Sequence, residues 1–569
     1  MWRRRSCSGE ILTPPLASLA RTLPPVSRRG LWILLVAFAA AWFCNLGYRH
    51  LAKSDEGRYA EIPREMVASG DWLTPRLNGF KYFEKPALQY WATAAAFSAF
   101  GMTEWAARLW PGLAGFFGVL LVYWTGNRLS GPPAGLYGAA VTASAAMYVA
   151  LGHMLTLDMG LTFFMSAAVF AIALAQRDET SEADRRRWML LAWSAAALAV
   201  LSKGLIGIVL PAGAVALYVL VERDWKRLAR LHIVRGGLLF LAITAPWFIA
   251  VSLANPEFFR YFFIHEHFER FLTREHGRYE PVWYFVPVVL VGIVPWIVSL
   301  FPALWSAWTR SPGAHFQSQR FLLIWCAVVF TFFSASSSKL ASYILPMLPA
   351  LALIAGHYLA SAGRRIALAH AAVAALLGIA LIAAAPQAVR YATGDLPAAL
   401  LVGYAPWLTA AGLTLVVAAV LSAWLALHAR LAAAAVALAF GGLISVQTAT
   451  SGHEELSPAY SAYHIVQKIR HQLKPDVPFY VVHTFDHTLL FYLGRTVTMV
   501  AYKDELAQPI AWEPKKFLPD EAAFARAWQS DPEAFAMFNS QDLAGFLEAH
   551  PVSMQIVARD ARRVIVKKP

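Results

Sequence analysis

Charged and aromatic residues crowd two short stretches that follow the first apolar run of the chain. Residues 53–59 read Lys-Ser-Asp-Glu-Gly-Arg-Tyr, and residues 81–86 read Lys-Tyr-Phe-Glu-Lys-Pro. A carboxylate can accept a proton from a nucleophile or bind a cation, whereas Lys and Arg bind anions. We therefore predict a site of mixed charge here, with Asp55 and Glu84 as candidate catalytic carboxylates.

Four further connections carry polar residues at the ends of apolar stretches. Asp158 opens an apolar run, where a carboxylate at mid-bilayer would cost roughly 2.5 to 3.5 kcal/mol, so it should have a partner or a task, and it is a third candidate catalytic carboxylate. Lys203 ends another run, and residues 265–270 read His-Glu-His-Phe-Glu-Arg. The last segment supplies Ser336, Ser337, Ser338, Lys339 and Tyr343. If these connections share one side of a membrane, their side chains can form one site between spans.

Each of these residues also has a simpler interpretation. A lysine at a helix end, such as Lys203 or Lys339, commonly extends its amine to the interface. Asp55 could cap a helix or be a solvated loop charge, and Asp158 could cap a helix. His265 and His267 are two positions apart, so on a helix they face different directions and would not both bind one ion. The prediction of a site therefore depends on the sidedness that these residues share.

The composition indicates that most of the chain lies in a lipid bilayer. Of the 569 residues, 58% are hydrophobic and only 15% are charged, a balance that a water-soluble domain could not bury. Apolar stretches of spanning length predict about thirteen transmembrane helices in an α-helical polytopic membrane protein. They begin near Leu31, Ala106, Pro133, Leu155, Trp188, Gly204, Gly236, Val282, Arg320, Leu340, Ile366, Pro406 and Leu431.

Charge on the connections predicts the orientation. The formal net charge of the chain is +14, and the part before Ser451 carries 36 Lys/Arg against 21 Asp/Glu, or +15, which fits short cytoplasmic loops better than a nucleic-acid surface. Residues 1–30 are then a cytoplasmic tail and 31–450 the membrane domain. The outer loop 49–105 is predicted to contain interfacial helices, because a flat helix over 86–101 keeps the basic loops inside. All five polar connections then lie outside, as does everything after Ser451.

Residues 451–569 have the pattern of a water-soluble domain. Apolar runs rich in β-formers at 477–483, 496–502, 554–557 and 563–566 alternate with helical patterns at 520–528 and 542–550. We predict a C-terminal α/β domain on the outer, periplasmic side.

Taken together, these motifs resemble those of one group of membrane enzymes. The acidic pair after the first span, the Tyr-Phe-Glu-Lys-Pro loop, Asp158, the segment 265–271 and the soluble tail resemble membrane glycosyltransferases of the GT-C fold. Within that fold the chain resembles the protein O-mannosyltransferase and aminoarabinose transferase branch. The Phe-Glu-Lys-Pro loop and the His-Glu-His-Phe-Glu-Arg-Phe segment are most similar to the family of undecaprenyl phosphate-α-4-amino-4-deoxy-L-arabinose arabinosyl transferases.

The resemblance implies a reaction, partners and a location. Such enzymes sit in the bacterial inner membrane, take a sugar from a polyprenyl phosphate on the periplasmic side and transfer it with inversion. The implied donor is undecaprenyl phosphate-linked aminoarabinose and the implied acceptor is a lipid A phosphate, a change that confers polymyxin and cationic peptide resistance. The leaving phosphate needs fixed cations and hydrogen bonds. The residues that the chain offers for them are Lys85, Arg270, Lys203, Arg58, Tyr59, Tyr82 and Tyr343.

The acceptor decides what the carboxylates do. A protein hydroxyl would need an aspartate as general base, whereas a lipid A phosphate is already ionised near neutral pH because its second pKa is about 6. In the second interpretation, which we favour, Asp55 and Asp158 hold the amino sugar. No cofactor is required, although Glu84 with His265 could capture a divalent metal ion.

Two alternative functions remain open from the sequence. A polyprenyl-phosphate-mannose protein O-mannosyltransferase would share the fold and differ in the acceptor. A transporter of a lipid-linked sugar would need a polar path through the membrane. We expect no such path, because the charged residues gather at span ends and the sequence indicates no pair of broken helices.

Overall fold

The computed structural model describes residues 28–269, 280–311 and 313–569. The predicted architecture is confirmed, with a helical membrane part followed by a C-terminal domain that contains a sheet. The helices up to residue 254 are α1 (Arg28–Phe43), α2 (Asp55–Ser69), α3 (Leu88–Phe100), α4 (Glu104–Ser130), α5 (Pro132–Ser144), α6 (Ala146–Gly152), α7 (Asp158–Ala175), α8 (Glu182–Lys203), α9 (Ile206–Glu222) and α10 (Ile233–Ala254).

A π-helix over Arg260–Glu269 follows α10. The remaining helices of the membrane part are α11 (Phe285–Gly292), α12 (Ile297–Trp308), α13 (Ser318–Ala335), α14 (Leu348–Ser361), α15 (Arg364–Ala384), α16 (Ala398–Leu427) and α17 (Leu431–Ser451). Each of the thirteen predicted starts falls at or near a helix. Among the described residues, eight helices are long and apolar enough to cross a membrane, or ten with two bent pairs. The count of thirteen spans stays a prediction.

Small residues let the membrane helices pack closely. A Cβ at Gly378 would lie 2.6 Å from the carbonyl oxygen of Gly412, and a Cβ at Gly412 would lie 2.6 Å from that of Gly378. Glycine at both positions therefore lets α15 and α16 approach backbone to backbone, a common way for helices to associate where lipid provides no hydrophobic drive.

Two apolar helix pairs are sharply bent at a short break, which corrects the expectation that the chain has no pair of broken helices. The chain bends by 63° between α5 and α6 and by 114° where α11 meets α12. The two breaks contact each other. The backbone N–H of Ala146 donates to the Val294 carbonyl over 3.2 Å, and Trp296 Nε1 donates to Ser144 Oγ over 2.9 Å. Each break thus satisfies polar groups of the other, as irregular backbone inside a membrane requires.

The C-terminal domain contains the helices α18 (Ser457–Tyr460), α19 (Tyr463–Ile469), α20 (His487–Leu493), α21 (Ala507–Trp512), α22 (Glu521–Ser530) and α23 (Asp542–Ala549). The outer loop holds a short hairpin of β1 (Arg76–Leu77) and β2 (Phe80–Lys81). The six strands of the domain are β3 (Phe479–Val482), β4 (Thr498–Val500), β5 (Phe517–Leu518), β6 (Phe535–Asn539), β7 (Gln555–Arg559) and β8 (Arg563–Lys567).

These six strands form one mixed sheet in the order β5-β4-β3-β6-β8-β7. The first four are parallel, and β8 runs antiparallel to both of its neighbours. The predicted strands near 479, 498, 555 and 563 are confirmed. The sequence analysis missed β5 and β6, although β6 is central, because its apolar run has no alternation to separate a buried strand from a helix.

The sheet shares a hydrophobic core with the first outer loop. Side chains alternate between its two faces, so Val481 and Met537 pack with the residues of α2 and α3, while Val482 and Phe538 pack against α22 and α23. A Cβ at Gly57 would lie 2.6 Å from the Thr488 nitrogen, so the start of α2 touches α20 directly. The C-terminal domain is therefore packed onto the predicted site.

A buried ion pair fixes the start of α2. Arg108 Nε and Nη2 donate to the two carboxylate oxygens of Glu56 over 2.7 and 2.9 Å, and both side chains are at most 2% exposed. The backbone N–H of Leu155 donates to the same carboxylate over 3.0 Å. Burial alone would raise the Glu56 pKa, but the charges of Arg108 and Arg49 and these hydrogen bonds lower it to about 2.

We expect Glu56→Gln to destabilise the protein by roughly 3 to 5 kcal/mol, because it leaves Arg108 buried without a counter-charge. Since folding lowers the Glu56 pKa from its ordinary value of 4.5, the stabilisation is present above about pH 4.5 and lost as the pH falls towards 2. The unfolding temperature of purified protein against pH measures both effects. The double variant with Arg108→Gln should lose less than the sum of the single losses. Additive losses would contradict a direct pair.

Candidate active site

The first turn of α2 brings two predicted residues together. Asp55 and Arg58 are three positions apart, so they share one helix face, and Arg58 Nη1 donates to Asp55 Oδ1 over 2.8 Å. The Asp55 side chain is 46% exposed, whereas that of Arg58 is 9% exposed. The capping interpretation of Asp55 is wrong, because the helix begins at Asp55 and its carboxylate binds the arginine. Asp55 stays open to a second partner.

The C-terminal domain supplies two residues that sequence reasoning missed. Arg58 Nε donates to Glu505 Oε1 over 3.0 Å, Arg58 Nη2 donates to Glu505 Oε2, and His487 Nε2 lies 2.6 Å from Glu505 Oε1. Burial would raise the Glu505 pKa, but the hydrogen bond to His487 and the charge of Arg58 lower it to about 2. No local pattern marks Glu505, because its partner is more than four hundred residues away.

Three tyrosines surround Arg58. Its guanidinium lies 5.7 Å from the centre of the Tyr59 ring. Tyr82, a predicted phosphate ligand, is buried, and Tyr90, which the sequence analysis did not select, is buried as well. Neither hydroxyl has a hydrogen-bond partner within the described part of the chain. Burial raises the pKa of each tyrosine well above its ordinary value, although the charge of Arg58 acts in the opposite direction, so all three remain hydrogen-bond donors.

A second cluster joins three predicted residues from three separate connections. Asp158 begins α7 and Lys203 ends α8, and Lys203 Nζ donates to Asp158 Oδ1 over 2.5 Å. Lys203 Nζ also lies 4.9 Å from the centre of the Tyr343 ring. The two charged side chains are only 9% and 14% exposed. Both simpler interpretations are therefore wrong: Lys203 does not extend to solvent, and Asp158 makes no helix-capping hydrogen bond.

The Glu56 carboxylate connects the two clusters. It belongs to the residue after Asp55, and it accepts from Leu155, three positions before Asp158. The charge of Asp55 also acts on Lys203. The two clusters are thus parts of one site held by a single buried ion pair.

The predicted loop residues Glu84 and Lys85 lie beside the π-helix. Lys85 Nζ lies 3.2 Å from Glu266 Oε2 and 3.7 Å from Glu84 Oε2. The charge of Glu84 acts on the three tyrosines described above, so this carboxylate belongs to the same surroundings. The His265 ring stacks on Tyr261 at 5.1 Å.

Two predictions for this segment stay predictions. Arg270 lies outside the described residues, as does the His267 side chain. Glu84 and His265 belong to no group of three potential metal ligands within the described ranges, so the structure does not offer a complete ligand set there.

Lys339, by contrast, is described and buried, and it donates to the Glu280 and Ser336 carbonyls over 3.0 and 2.6 Å. For Lys339, too, the interface interpretation is wrong.

An apolar cavity of about 480 Å³ lies elsewhere, between α1, α4, α5 and α17. Its walls include Phe38, Val119, Ala139 and Phe440. None of the predicted site residues lines it, so it contributes nothing to the chemistry of the charged clusters.

Family models match two parts of the chain. Residues 28–265 match the dolichyl-phosphate-mannose-protein mannosyltransferase model, and residues 465–568 match the aminoarabinose transferase C-terminal domain.

Individual relatives agree with these models. Undecaprenyl phosphate-alpha-4-amino-4-deoxy-L-arabinose arabinosyl transferase 1 of Proteus mirabilis is 34% identical over 342 residues, which cover 59% of this chain and 60% of that protein. Transferase 2 of the same organism is 30% identical, over 64% and 68% of the two chains. The crystal structure of ArnT from Cupriavidus metallidurans bound to undecaprenyl phosphate superposes with a TM-score of 0.90, at 37% identity, over 95% of this chain and 98% of that one.

The contact between Arg58 and Glu505 should hold the C-terminal domain against the loop. We expect Glu505→Gln to lower the unfolding temperature and to speed proteolysis of the domain, because it leaves Arg58 buried with less counter-charge. Folding lowers the Glu505 pKa from 4.5 to about 2. The destabilisation caused by Glu505→Gln should therefore be complete above pH 4.5 and vanish as the pH falls towards 2.

Glu548→Gln makes the same change of charge on an exposed residue of the domain and serves as the control. Equal proteolysis rates for the two variants at pH 7 would contradict the role of Glu505 in holding the domain.

Proposed function

Because the chain belongs to the family of undecaprenyl phosphate-α-4-amino-4-deoxy-L-arabinose arabinosyl transferases, we propose that it is an inverting glycosyltransferase that moves this amino sugar from undecaprenyl phosphate to lipid A phosphates. The observation that carries the proposal is that fixed cations and carboxylates from separate connections meet in one site of a chain in this family. A site for phosphate alone would need no acids. A donor that joins an anionic phosphate to a cationic amino sugar can bind both the cations and the carboxylates of the site.

The donor phosphate would bind to the cations. The described contacts of Arg58 use three of its five N–H donors, so the guanidinium can bind a phosphate oxygen while it keeps its carboxylate partners. Lys203 and Lys85 supply two more amines, and the hydroxyls of Tyr82 and Tyr90, which have no hydrogen-bond partner among the described residues, supply neutral donors. Arg270, Tyr59 and Tyr343 remain proposed phosphate ligands. In this arrangement the negative charge that grows on the leaving phosphate meets donors that are already oriented.

The reaction needs no strong base. An oxygen of the lipid A phosphate attacks the anomeric carbon as the bond from that carbon to the undecaprenyl phosphate oxygen breaks, and the electron pair leaves with the phosphate. The attacking oxygen is ionised near neutral pH. Positive charge develops at the anomeric carbon in the transition state, and a nearby carboxylate lowers the energy of that state.

The two aspartates differ in how they can act. Asp55 is half exposed, so it can face the sugar and bind the 4-amino group or steady the anomeric carbon. Asp158 is buried against Lys203, so it acts mainly by holding that amine towards the phosphate. Glu84 lies near the same tyrosines and is the third candidate carboxylate. A divalent ion on Glu84 and His265 stays an optional addition that none of these steps requires.

The proposed location follows from the positive charge of the other connections. We place the N-terminus in the cytoplasm and the site and C-terminal domain in the periplasm of a bacterial cell with an inner membrane. Adding an amino sugar to lipid A phosphates lowers the negative charge of the surface, which would reduce the binding of polymyxin and other cationic peptides.

One observation favours a different function. The two broken helices that meet near Ser144 and Trp296 are a feature also used by transporters of lipid-linked or soluble substrates. Liposomes without acceptor separate the two hypotheses. Specific movement of the sugar lipid across their membrane would favour transport. A protein mannosyltransferase would instead label a peptide from polyprenyl phosphate mannose.

We expect the native protein to add aminoarabinose to lipid A in cells that lack their own transferase, and Asp55→Asn and Asp158→Asn to abolish the addition at equal expression. Mass spectrometry of lipid A measures how much aminoarabinose has been added. Asp395→Asn, on a side chain that is 78% exposed, is the matched control and should retain activity. If native protein with ample donor adds no sugar, the proposed donor or acceptor is wrong. Full activity in both site variants would return the aspartates to a structural role.

Tyr82→Phe and Tyr90→Phe should each lower kcat/KM for the donor roughly 10- to 100-fold, because each removes a hydrogen bond to a charged phosphate. Their unfolding temperatures should stay close to the native value, since neither hydroxyl has a partner among the described residues. Tyr148→Phe is the opposite control, because Tyr148 Oη donates to the Gly115 carbonyl over 3.0 Å. It should lose stability and keep its donor KM. Unchanged kinetics for both site variants would remove these tyrosines from the site.

A further inference from the structure

Two histidines and a glutamate meet where the first outer loop touches the start of the C-terminal domain. His50 lies in the segment between α1 and α2, Glu454 lies just after α17, and His464 lies in α19. One nitrogen of each histidine and one oxygen of the glutamate lie within 4.8 Å of one another. None of the three belongs to the site described above, and they form the one such group within the described ranges of the chain.

The distances suit a small divalent ion after modest side-chain rotation. His50 Nδ1 lies 2.6 Å and His464 Nε2 lies 3.8 Å from Glu454 Oε1. Ligands about 2.0 to 2.1 Å from a tetrahedral zinc ion are roughly 3.3 Å apart, so the shorter distance must open and the longer one close, each by less than an ångström. The three side chains are 20%, 19% and 41% exposed, which leaves an entry path from solvent.

Neighbouring groups hold the three side chains in place. The other carboxylate oxygen of Glu454 accepts from the His50 backbone N–H over 2.8 Å. Ser457 Oγ donates to Glu454 Oε1 over 3.0 Å and lies 2.7 Å from His464 Nε2. The His50 ring stacks on Tyr463 with 3.6 Å between ring centres. Such outer contacts orient the ligands of metal sites before the ion binds.

We propose that His50, Glu454 and His464 bind one divalent transition-metal ion of the zinc type, with water or Ser457 Oγ as fourth ligand. Two imidazoles with one carboxylate are a ligand set that zinc accepts in proteins, and calcium or magnesium would prefer oxygen ligands. The proposal does not depend on the sugar-transfer reaction.

The ion would join the C-terminal domain to the base of the candidate active site. The His50 carbonyl accepts from Arg108 Nη2 over 3.2 Å, and Arg108 forms the ion pair with Glu56. The next residue, Leu51, donates its backbone N–H to Tyr492 Oη of α20 over 2.7 Å. Binding to the folded state alone would therefore stabilise the contact between the two parts of the protein.

The test uses full-length protein without an affinity tag, purified in detergent and stripped with a chelator. Zinc is then titrated, bound metal is counted by elemental mass spectrometry after dialysis, and the unfolding temperature is followed. We expect the native protein to bind one more zinc ion per chain than His464→Gln or Glu454→Gln. The zinc-dependent rise in unfolding temperature should be lost in both variants.

Neighbouring residues provide matched controls. His453→Gln and Glu455→Gln change the exposed residues on either side of Glu454 and should bind as the native protein does. The double variant Glu84→Gln with His265→Gln should keep the zinc ion proposed here, which separates it from any ion at the other predicted site. His464→Cys retains a zinc ligand and should recover binding even if the glutamine variant folds poorly.

Zinc binding and stabilisation in His464→Gln and Glu454→Gln equal to those of the native protein would overturn the proposal. The cluster would then be a hydrogen-bonded network that joins the two parts of the protein without a metal. The same conclusion would follow if His464→Cys, folded and monodisperse, bound no more zinc than the glutamine variants.

Discussion

The buried ion pair between Glu56 and Arg108 is the interaction on which the rest of the site depends. In a region of low dielectric neither charge can be buried alone. Each charge must therefore lie where the opposite charge and hydrogen bonds from neighbouring groups compensate it. Arg108 also donates to the carbonyls of Leu46, Arg49 and His50, and Glu56 accepts from Leu155. One pair of charges thus fixes the end of the first span, the start of α2 and the turn before α7.

The charges of the site itself are arranged in pairs around that anchor. Arg58 lies between Asp55 and Glu505, and Lys203 lies beside Asp158. Each cation is held in position by a carboxylate, which keeps a buried amine or guanidinium charged and oriented before any ligand binds. Glu505 comes from the C-terminal domain, so that domain takes part in building the site and is more than an appendage on the membrane helices.

Much of the fold could be read from the sequence, because lipid imposes long apolar helices and water imposes alternating strands. The parts that failed have local causes. Strand β6 is apolar on both faces, so its five residues resemble a buried helix as much as a strand. The break at Ala145 carries no glycine or proline of its own, and it exists because the second break, at residues 293–296, satisfies its backbone groups.

The sequence by itself determined the class of protein, the types of residue available for chemistry and the connections on which they lie. Only the tertiary structure decided their partners. Lys203 could extend to the interface by its position alone, yet helix packing brings it to Asp158. Tyr90 reads as part of an apolar helix, and Glu505 as one acid among many. Sequence spacing sets which side chains share a face, whereas the packing of distant elements sets which charges meet and how far water is excluded from them.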